Sequence, residues 1–237
     1  VLLLYLIIPG RINFLQLGRY GRFGEQRYRQ QFGRRFDWLS FNAGLAASHI
    51  GNRVAIAFDP SYISKSGKCT PYMGRFWSGC AKMAKRGLEI SGIGLIDMDL
   101  HTCFHLEAVQ TPPTKTLEQV KYTLIDWYLH VLRTRKETLQ RLTNYVVADA
   151  YFSKSTFVDG ALEMGFHVIS RFRDDACLLY LVSGQPTGKR GRPKLYDGKI
   201  EMKHLEEGRF EITNLEKGKG RVLSAVVHSR SLDRNIL

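Results

Sequence analysis

Acidic residues are scarce in this chain: 22 Asp and Glu stand against 35 Lys and Arg, a formal charge of +13. Such an excess of positive charge argues for a polyanionic partner, of which nucleic acid is the commonest. Cysteine is also sparse. Cys69, Cys80, Cys103 and Cys177 lie at irregular spacings with no C-x-x-C, which argues against a disulfide framework or a zinc knuckle and for a reducing, cytoplasmic setting. No long apolar run occurs. The run Val1–Ile8 is too short to span a bilayer and has neither the basic flank nor the small-residue cleavage site of a signal peptide, so no membrane partner is expected. Nucleotide-binding glycine patterns are missing as well. Gly67-Lys68 has Tyr62 where a phosphate-binding loop needs its first glycine and Cys69 where it needs Ser or Thr, and Gly18, Gly21 and Gly24 have no strand-turn-helix around them.

What is present is enough for one full-sized domain with a core, or a domain plus a small appendage: 237 residues, 44% apolar and 11% aromatic. Two short apolar runs end on a carboxylate 90 positions apart, Arg53-Val-Ala-Ile-Ala-Phe-Asp59 and Tyr145-Val-Val-Ala-Asp149. Their composition predicts strands. Two strands that each end on an aspartate predict a pair of carboxylates at one edge of a sheet. In a basic protein such a pair suits divalent ions acting on a phosphodiester.

Before the first of these strands, residues 1–50 read as helical and basic. Seven arginines between Arg11 and Arg35 face one acid, Glu25, and Tyr20, Phe23, Tyr28, Phe32 and Phe36 are interleaved. Such a segment can hold phosphates with its guanidinium groups while the rings anchor it or stack on bases; a solvated basic face with its aromatics in the core fits the same pattern. Pro60–Thr70 reads as a polar loop carrying Lys65 and Lys68. Leu88–Asp97 and Leu100–Gln110 predict a strand pair, the second with His101, Cys103, His105 and Glu107 alternating against Thr102, Phe104, Leu106 and Ala108. A half-exposed strand accounts for that alternation without a metal. Asp97-Met-Asp99 has the spacing of an aspartyl-phosphate nucleophile, a pattern also common at hairpin turns.

Thr111-Pro-Pro-Thr114 reads as a linker. Thr116-Leu-Glu-Gln119 has a capping-box pattern, and Leu117, Val120, Leu124, Val131 and Leu132, with Trp127 or Tyr128, predict one amphipathic helix of about 25 residues leading into the strand that ends at Asp149. A second helix carries Phe157, Val158, Ala161 and Leu162, with Gly165 at its C-cap, and Phe166–Phe172 is the next strand. From about residue 175 short strand-like runs alternate with Gly, Asp and Lys, interrupted by the basic loop Thr187-Gly-Lys-Arg-Gly-Arg-Pro-Lys194. Its Arg190-Gly-Arg-Pro193 core resembles the AT-hook, whose arginines enter a narrow minor groove; a loop making phosphate contacts alone fits as well.

The order three strands, helix, strand, helix, strand, with acids on the first and fourth strands, is that of an α/β ribonuclease-H-like fold. Phe58-Asp-Pro-Ser-Tyr-Ile-Ser-Lys-Ser-Gly-Lys-Cys-Thr70 resembles the first-aspartate block of DDE transposases of the insertion-sequence-4-like group. Tyr145-Val-Val-Ala-Asp-Ala-Tyr-Phe-Ser-Lys154 resembles their second-aspartate block. The opening segments Gly10-Arg-Ile-Asn-Phe14 and Tyr28-Arg-Gln-Gln-Phe32 are similar to the region preceding the catalytic core in that group. The resemblance implies a helical basic N-terminal region (1–50) that contacts DNA. It implies a ribonuclease-H-like catalytic domain (51–237) with a mixed sheet flanked by helices and a β-rich insertion from about 175. It further implies a metal-dependent transposase that hydrolyses phosphodiesters at transposon ends and transfers the strand to target DNA, with Asp59 and Asp149 as catalytic, metal-holding acids. Mg²⁺ is the implied ion, Mn²⁺ a substitute, and two ions about 3.5–4 Å apart serve such chemistry. Lys65, Lys68, Lys189, Arg190, Arg192 and Lys194 are the expected DNA contacts, with double-stranded DNA and a possible second copy of the chain as partners and the bacterial nucleoid as location. The family's third acid, a glutamate on a helix after the insertion, has no match: Glu206, Glu207, Glu211 and Glu216 lack its Tyr, Arg and Lys neighbours. The chain begins without Met and stops after Asn235-Ile-Leu237, so a fragment or a decayed copy is expected. The rival expectation is a DNA-binding protein that has lost the chemistry.

Overall fold

Alternating apolar residues and two long runs of β-favouring sequence build the largest element, a mixed sheet. The computed structural model describes residues 2–67, 69–173, 175–183, 194–215 and 220–237. The chain divides into two compact units, Val1–Phe41 and Asn42–Leu237.

The helical start consists of α1 (Leu2–Ile7), α2 (Phe14–Tyr20), α3 (Glu25–Phe32) and α4 (Trp38–Ala47). In the first unit Ile8, Leu17 and Tyr28 form a small core, with Leu4, Ile12 and Phe14 against it. The Asn13 side chain caps α2 by accepting from the Gln16 amide at 2.9 Å.

The second unit begins with four strands, β1 (Val54–Ser64), β2 (Gly74–Ser78), β3 (Met83–Asp97) and β4 (Thr102–Gln110). Three helices follow, α5 (Thr114–Gln119), α6 (Leu124–Arg133) and α7 (Lys136–Gln140), and then β5 (Tyr145–Ala148), α8 (Ser155–Glu163) and β6 (His167–Ser170). The sheet order is β2-β3-β1-β5-β6, with β4 also paired to β3. β1 runs antiparallel to β3 and parallel to β5, and β5 runs parallel to β6. β1 and β3 stay paired from Val54↔Asp97 to Ser64↔Gly87, whereas β1 is registered to β5 only over Ile56↔Val146 to Phe58↔Ala148. An overhang of β1 and β3 therefore extends past the end of β5.

Phe58 anchors the core beneath this sheet. It is buried and meets Tyr128 and Phe152 edge-on at centroid distances of 5.7 and 5.5 Å, and it stacks on Phe157 at 6.5 Å. α6 contributes Ile125, Tyr128, Leu129, Val131 and Leu132, and α8 contributes Phe157, Val158, Gly160 and Ala161. Arg135 forks onto Glu107 of β4, tying the helices to the far strand. The remaining strands are β7 (Leu178–Leu181), β8 (Tyr196–Lys199), β9 (Glu211–Asn214), β10 (Arg221–Ser224), β11 (Val227–Ser229) and β12 (Arg234–Ile236). They form a four-stranded sheet, β12-β11-β7-β8, and a separate β9-β10 hairpin. Leu178, Tyr180, Ile200 and Val227 are the core of this β-rich part, and an Arg234–Asp159 ion pair links it to α8.

Several local expectations change. The polar loop after Asp59 is strand as far as Ser64, and β2, unexpected from its sequence, adds an edge strand. The helix of about 25 residues is three helices. Lys121 adopts φ +57 and Tyr122 N–H closes onto the Leu117 carbonyl at 2.9 Å, ending α5. The capping box lies at Thr123 and Asp126 rather than at Thr116 and Gln119. Gly165, at φ +85, does close α8, with its N–H 2.8 Å from the Leu162 carbonyl. No helix among the described residues is long and apolar enough to cross a membrane.

Candidate active site

The parallel register places the two aspartates. Phe58 pairs with Ala148 at the last step of the β1–β5 ladder, and Asp59 and Asp149 are the next residue on each strand. Side chains alternate along a strand, so Asp59 is turned out of the packing that takes Phe58. Asp59 is exposed, and its Oδ2 accepts from the Ser61 hydroxyl at 3.1 Å. Asp149 is exposed too and caps a 3₁₀ turn, Ala150–Phe152, with Oδ1 accepting from the Tyr151 amide at 3.0 Å. Its backbone carbonyl accepts from the Ser170 hydroxyl at 2.8 Å, fixing it to the end of β6.

Both aspartates line a cavity of about 700 Å³ at the overhang of the sheet. Glu89 of β3 lines it as well, and so does Glu118 of α5. Aromatic rings make up much of the wall: Trp77 from β2, Tyr122, Tyr128 from α6, Tyr151 and Phe152. Glu89 is only 6% exposed and accepts a hydrogen bond from the Tyr128 hydroxyl at 2.7 Å. Burial, and then the negative charge of Glu89, push the Tyr128 hydroxyl far above its ordinary range, so it stays protonated and donates. The Tyr151 hydroxyl is also raised, first by burial and then by Glu89 and Asp149. The Lys154 ammonium lies 3.9 Å from the Tyr151 ring centre, bringing a cation beside the Asp149 corner. Among the described residues none of Asp59, Glu89 and Asp149 joins an ion pair. Nor do any three His, Cys, Asp or Glu side chains among them stand close enough together to hold one metal ion.

The basic positions fare unevenly. Lys65 is exposed just past the end of β1. The Lys194 ammonium lies 2.9 Å from Asp197, which with Arg209 holds the Asp197 carboxyl at about 2. Lys68, Lys189, Arg190 and Arg192 lie outside the described residues. In the N-terminal unit Arg27 sits over Phe23 and Arg29 over Phe14, at 5.8 and 4.7 Å, while Tyr20, Phe23, Phe32 and Phe36 are exposed and Tyr28 is buried. A second depression of about 480 Å³ is lined by Ala150, Arg171, Phe172, Arg173 and Asp175, next in sequence to Asp149 and β6.

Other candidates resolve differently. His101 is a turn residue at φ +52 ahead of β4, while Cys103 and His105 are exposed on it. Asp97 is 1% exposed and accepts from the backbone amides of Gly51, Asp99 and Leu100 at 2.7, 2.9 and 2.9 Å. A carboxylate so committed fixes a turn and is not presented as a nucleophile. Glu206 pairs with Arg209 and Glu207 with Arg221, Glu211 is exposed on β9, and Glu216 lies outside the described residues. The acid the sequence reading passed over is Glu89. Its signal was a carboxylate in mid-strand on the buried parity of β3, where Gly87, Ser91, Ile93 and Leu95 are its neighbours and Asp97, at the strand end, is the other acid.

No protein-family model matches the chain, and no curated protein matches it in sequence.

Proposed function

We propose that the chain is a DNA-processing enzyme of the DDE-transposase type, with a ribonuclease-H-like core in which Asp59 and Asp149 form the centre for phosphodiester cleavage and strand transfer. The observation that carries this reading is their placement: each directly follows the last registered pair, Phe58↔Ala148, of two adjacent parallel strands, and both line one cavity. The strand order supports it. Leaving aside the edge strand β2, three antiparallel strands are followed by two parallel ones, with the acids on the first and fourth.

The donor set fits a hard divalent ion. Carboxylate oxygens are the ligands Mg²⁺ and Mn²⁺ take, and Asp149 spends one oxygen on the Tyr151 amide, leaving the other to bind. Mg²⁺ held there would supply positive charge against the phosphate oxygens and make water a better nucleophile. The chain's own part is to hold Asp59 on a rigid strand and Asp149 at a capped turn. The aromatic wall limits water at one side of the site, and the basic surface, including Lys65, draws the DNA backbone in.

The test is nicking of duplex DNA with and without Mg²⁺ by the chain and by Asp149→Asn. Metal-dependent nicking that falls about a hundredfold or more in the variant is expected; equal nicking by both overturns the assignment. The second reading, a DNA-binding protein without chemistry, is favoured by the lack of three acids grouped to share an ion among the described residues. Salt-sensitive DNA binding with no nicking in Mg²⁺ or Mn²⁺ would decide for it.

A further inference from the structure

Alternate residues of β3 face the core, and two of them are acids, Glu89 and Asp97. Asp97 is accounted for by its three backbone amides. Glu89 has no such account. A carboxylate buried on the core face of a sheet is costly unless it is paired and fully hydrogen-bonded. One neutral hydroxyl, that of Tyr128, is its hydrogen-bond donor, and it joins no ion pair among the described residues. Its position explains what the packing does not. Glu89 is registered to Tyr62 in the overhang beyond the end of β5, where it lines the same cavity as Asp59 and Asp149.

We propose that Glu89 is the third acid of this site: a positioning residue, anchored by the Tyr128 hydroxyl, whose negative charge strengthens the hold of Asp59 and Asp149 on a divalent cation in the cavity. The inference rests on the paired-aspartate reading above. Direct ligation is not part of it, because no three acids among the described residues are close enough to share one ion. Glu118 lines the cavity too, but it is exposed on a six-residue helix and has no anchoring hydrogen bond among the described residues, so it is the matched control.

The experiment is calorimetric titration of Mn²⁺ into the full chain, with thermal unfolding of each metal-free variant to check its fold. Glu89→Gln weakens Mn²⁺ binding about tenfold or more, the scale of removing one buried negative charge from beside the cation, and Glu118→Gln, whose charge is exposed and screened by solvent, leaves it unchanged. Where Glu89→Gln does not fold, the double variant Glu89→Met with Tyr128→Phe takes its place. Replacing both buried partners with apolar groups of similar shape is close to neutral for stability, and the same tenfold loss is expected. A folded variant of either kind that binds Mn²⁺ as the parent does, while Asp149→Asn loses binding, overturns the role of Glu89 and leaves the aspartate pair standing. A parent chain that binds no Mn²⁺ overturns both.

Discussion

The acids around the first strands fall into two kinds according to what holds them. Asp97 and Asp99 are committed to backbone. Asp97 takes the amides of Gly51, Asp99 and Leu100, while Asp99 takes those of Asn52 and Arg53 and the Arg53 guanidinium at 2.6 Å. These bonds hold both carboxyls below their ordinary values, with the Gly51 amide the largest cause for Asp97 and the Arg53 amide for Asp99. A group whose pKa is lower folded than unfolded stabilises the fold above the unfolded value, about 4, and loses that contribution as pH falls through the folded one. Asp97→Asn is therefore expected to lower the urea midpoint at pH 7 and to shrink the midpoint's fall between pH 5 and pH 2, with metal-dependent nicking retained. An acid limb as steep as the parent's would contradict the structural role. Asp59, Asp149 and Glu89 are held lightly by comparison, each with one side-chain oxygen engaged. That difference was only partly legible in the sequence. The aspartates announced themselves by ending apolar runs. The hairpin-turn pattern of Asp97-Met-Asp99 foreshadowed the local amides of Asp99 and Leu100, but the Gly51 amide lies 46 residues from Asp97 and the Tyr128 hydroxyl 39 residues from Glu89, contacts that local pattern does not encode.

At the scale of elements, the strands and helices that read clearly are those whose own sequence decides them. The inner half of β1 and all of β5 are short apolar runs, and α8 ends on a glycine that takes the left-handed conformation its closure needs. The elements that were missed are decided by neighbours. The outer half of β1 is polar in sequence, Pro60-Ser-Tyr-Ile-Ser64, and is strand because β3 runs alongside it to Gly87. The long amphipathic stripe 117–132 continues in sequence across a break at Lys121: Leu117 of α5 and Val131 and Leu132 of α6 are buried, while Val120 at the break is exposed. α6 and α8 touch at Gly160, where a β-carbon would lie 2.7 Å from Leu129 Cδ1 and 2.9 Å from its Cδ2. Gly160→Ala is expected to destabilise the fold by about 1–3 kcal/mol through overpacking, read as a lower urea midpoint with an unchanged slope. A gain in stability, the usual result of Gly→Ala in a helix, would show that the two helices are free to move apart.

For the molecule as a whole, a charge of +13 and a cavity walled by carboxylates and rings are features of opposite sign, and the proposed chemistry needs both. In the proposed reaction the basic surface would concentrate a polyanion and the acids would hold the cation that acts on it. The mixed sheet is what joins them, since one parallel pairing brings together residues 90 positions apart in the chain. The central claim is that Asp59 and Asp149 are one site rather than two surface acids. The measurement that tests it is the rate of Mg²⁺-dependent DNA nicking by the parent, Asp59→Asn, Asp149→Asn and the double variant. Groups that act as a unit lose their contribution together, so each single variant is expected to fall to near the background rate and the double variant no further. Single variants that keep the parent rate, or losses that multiply in the double variant, would contradict the account.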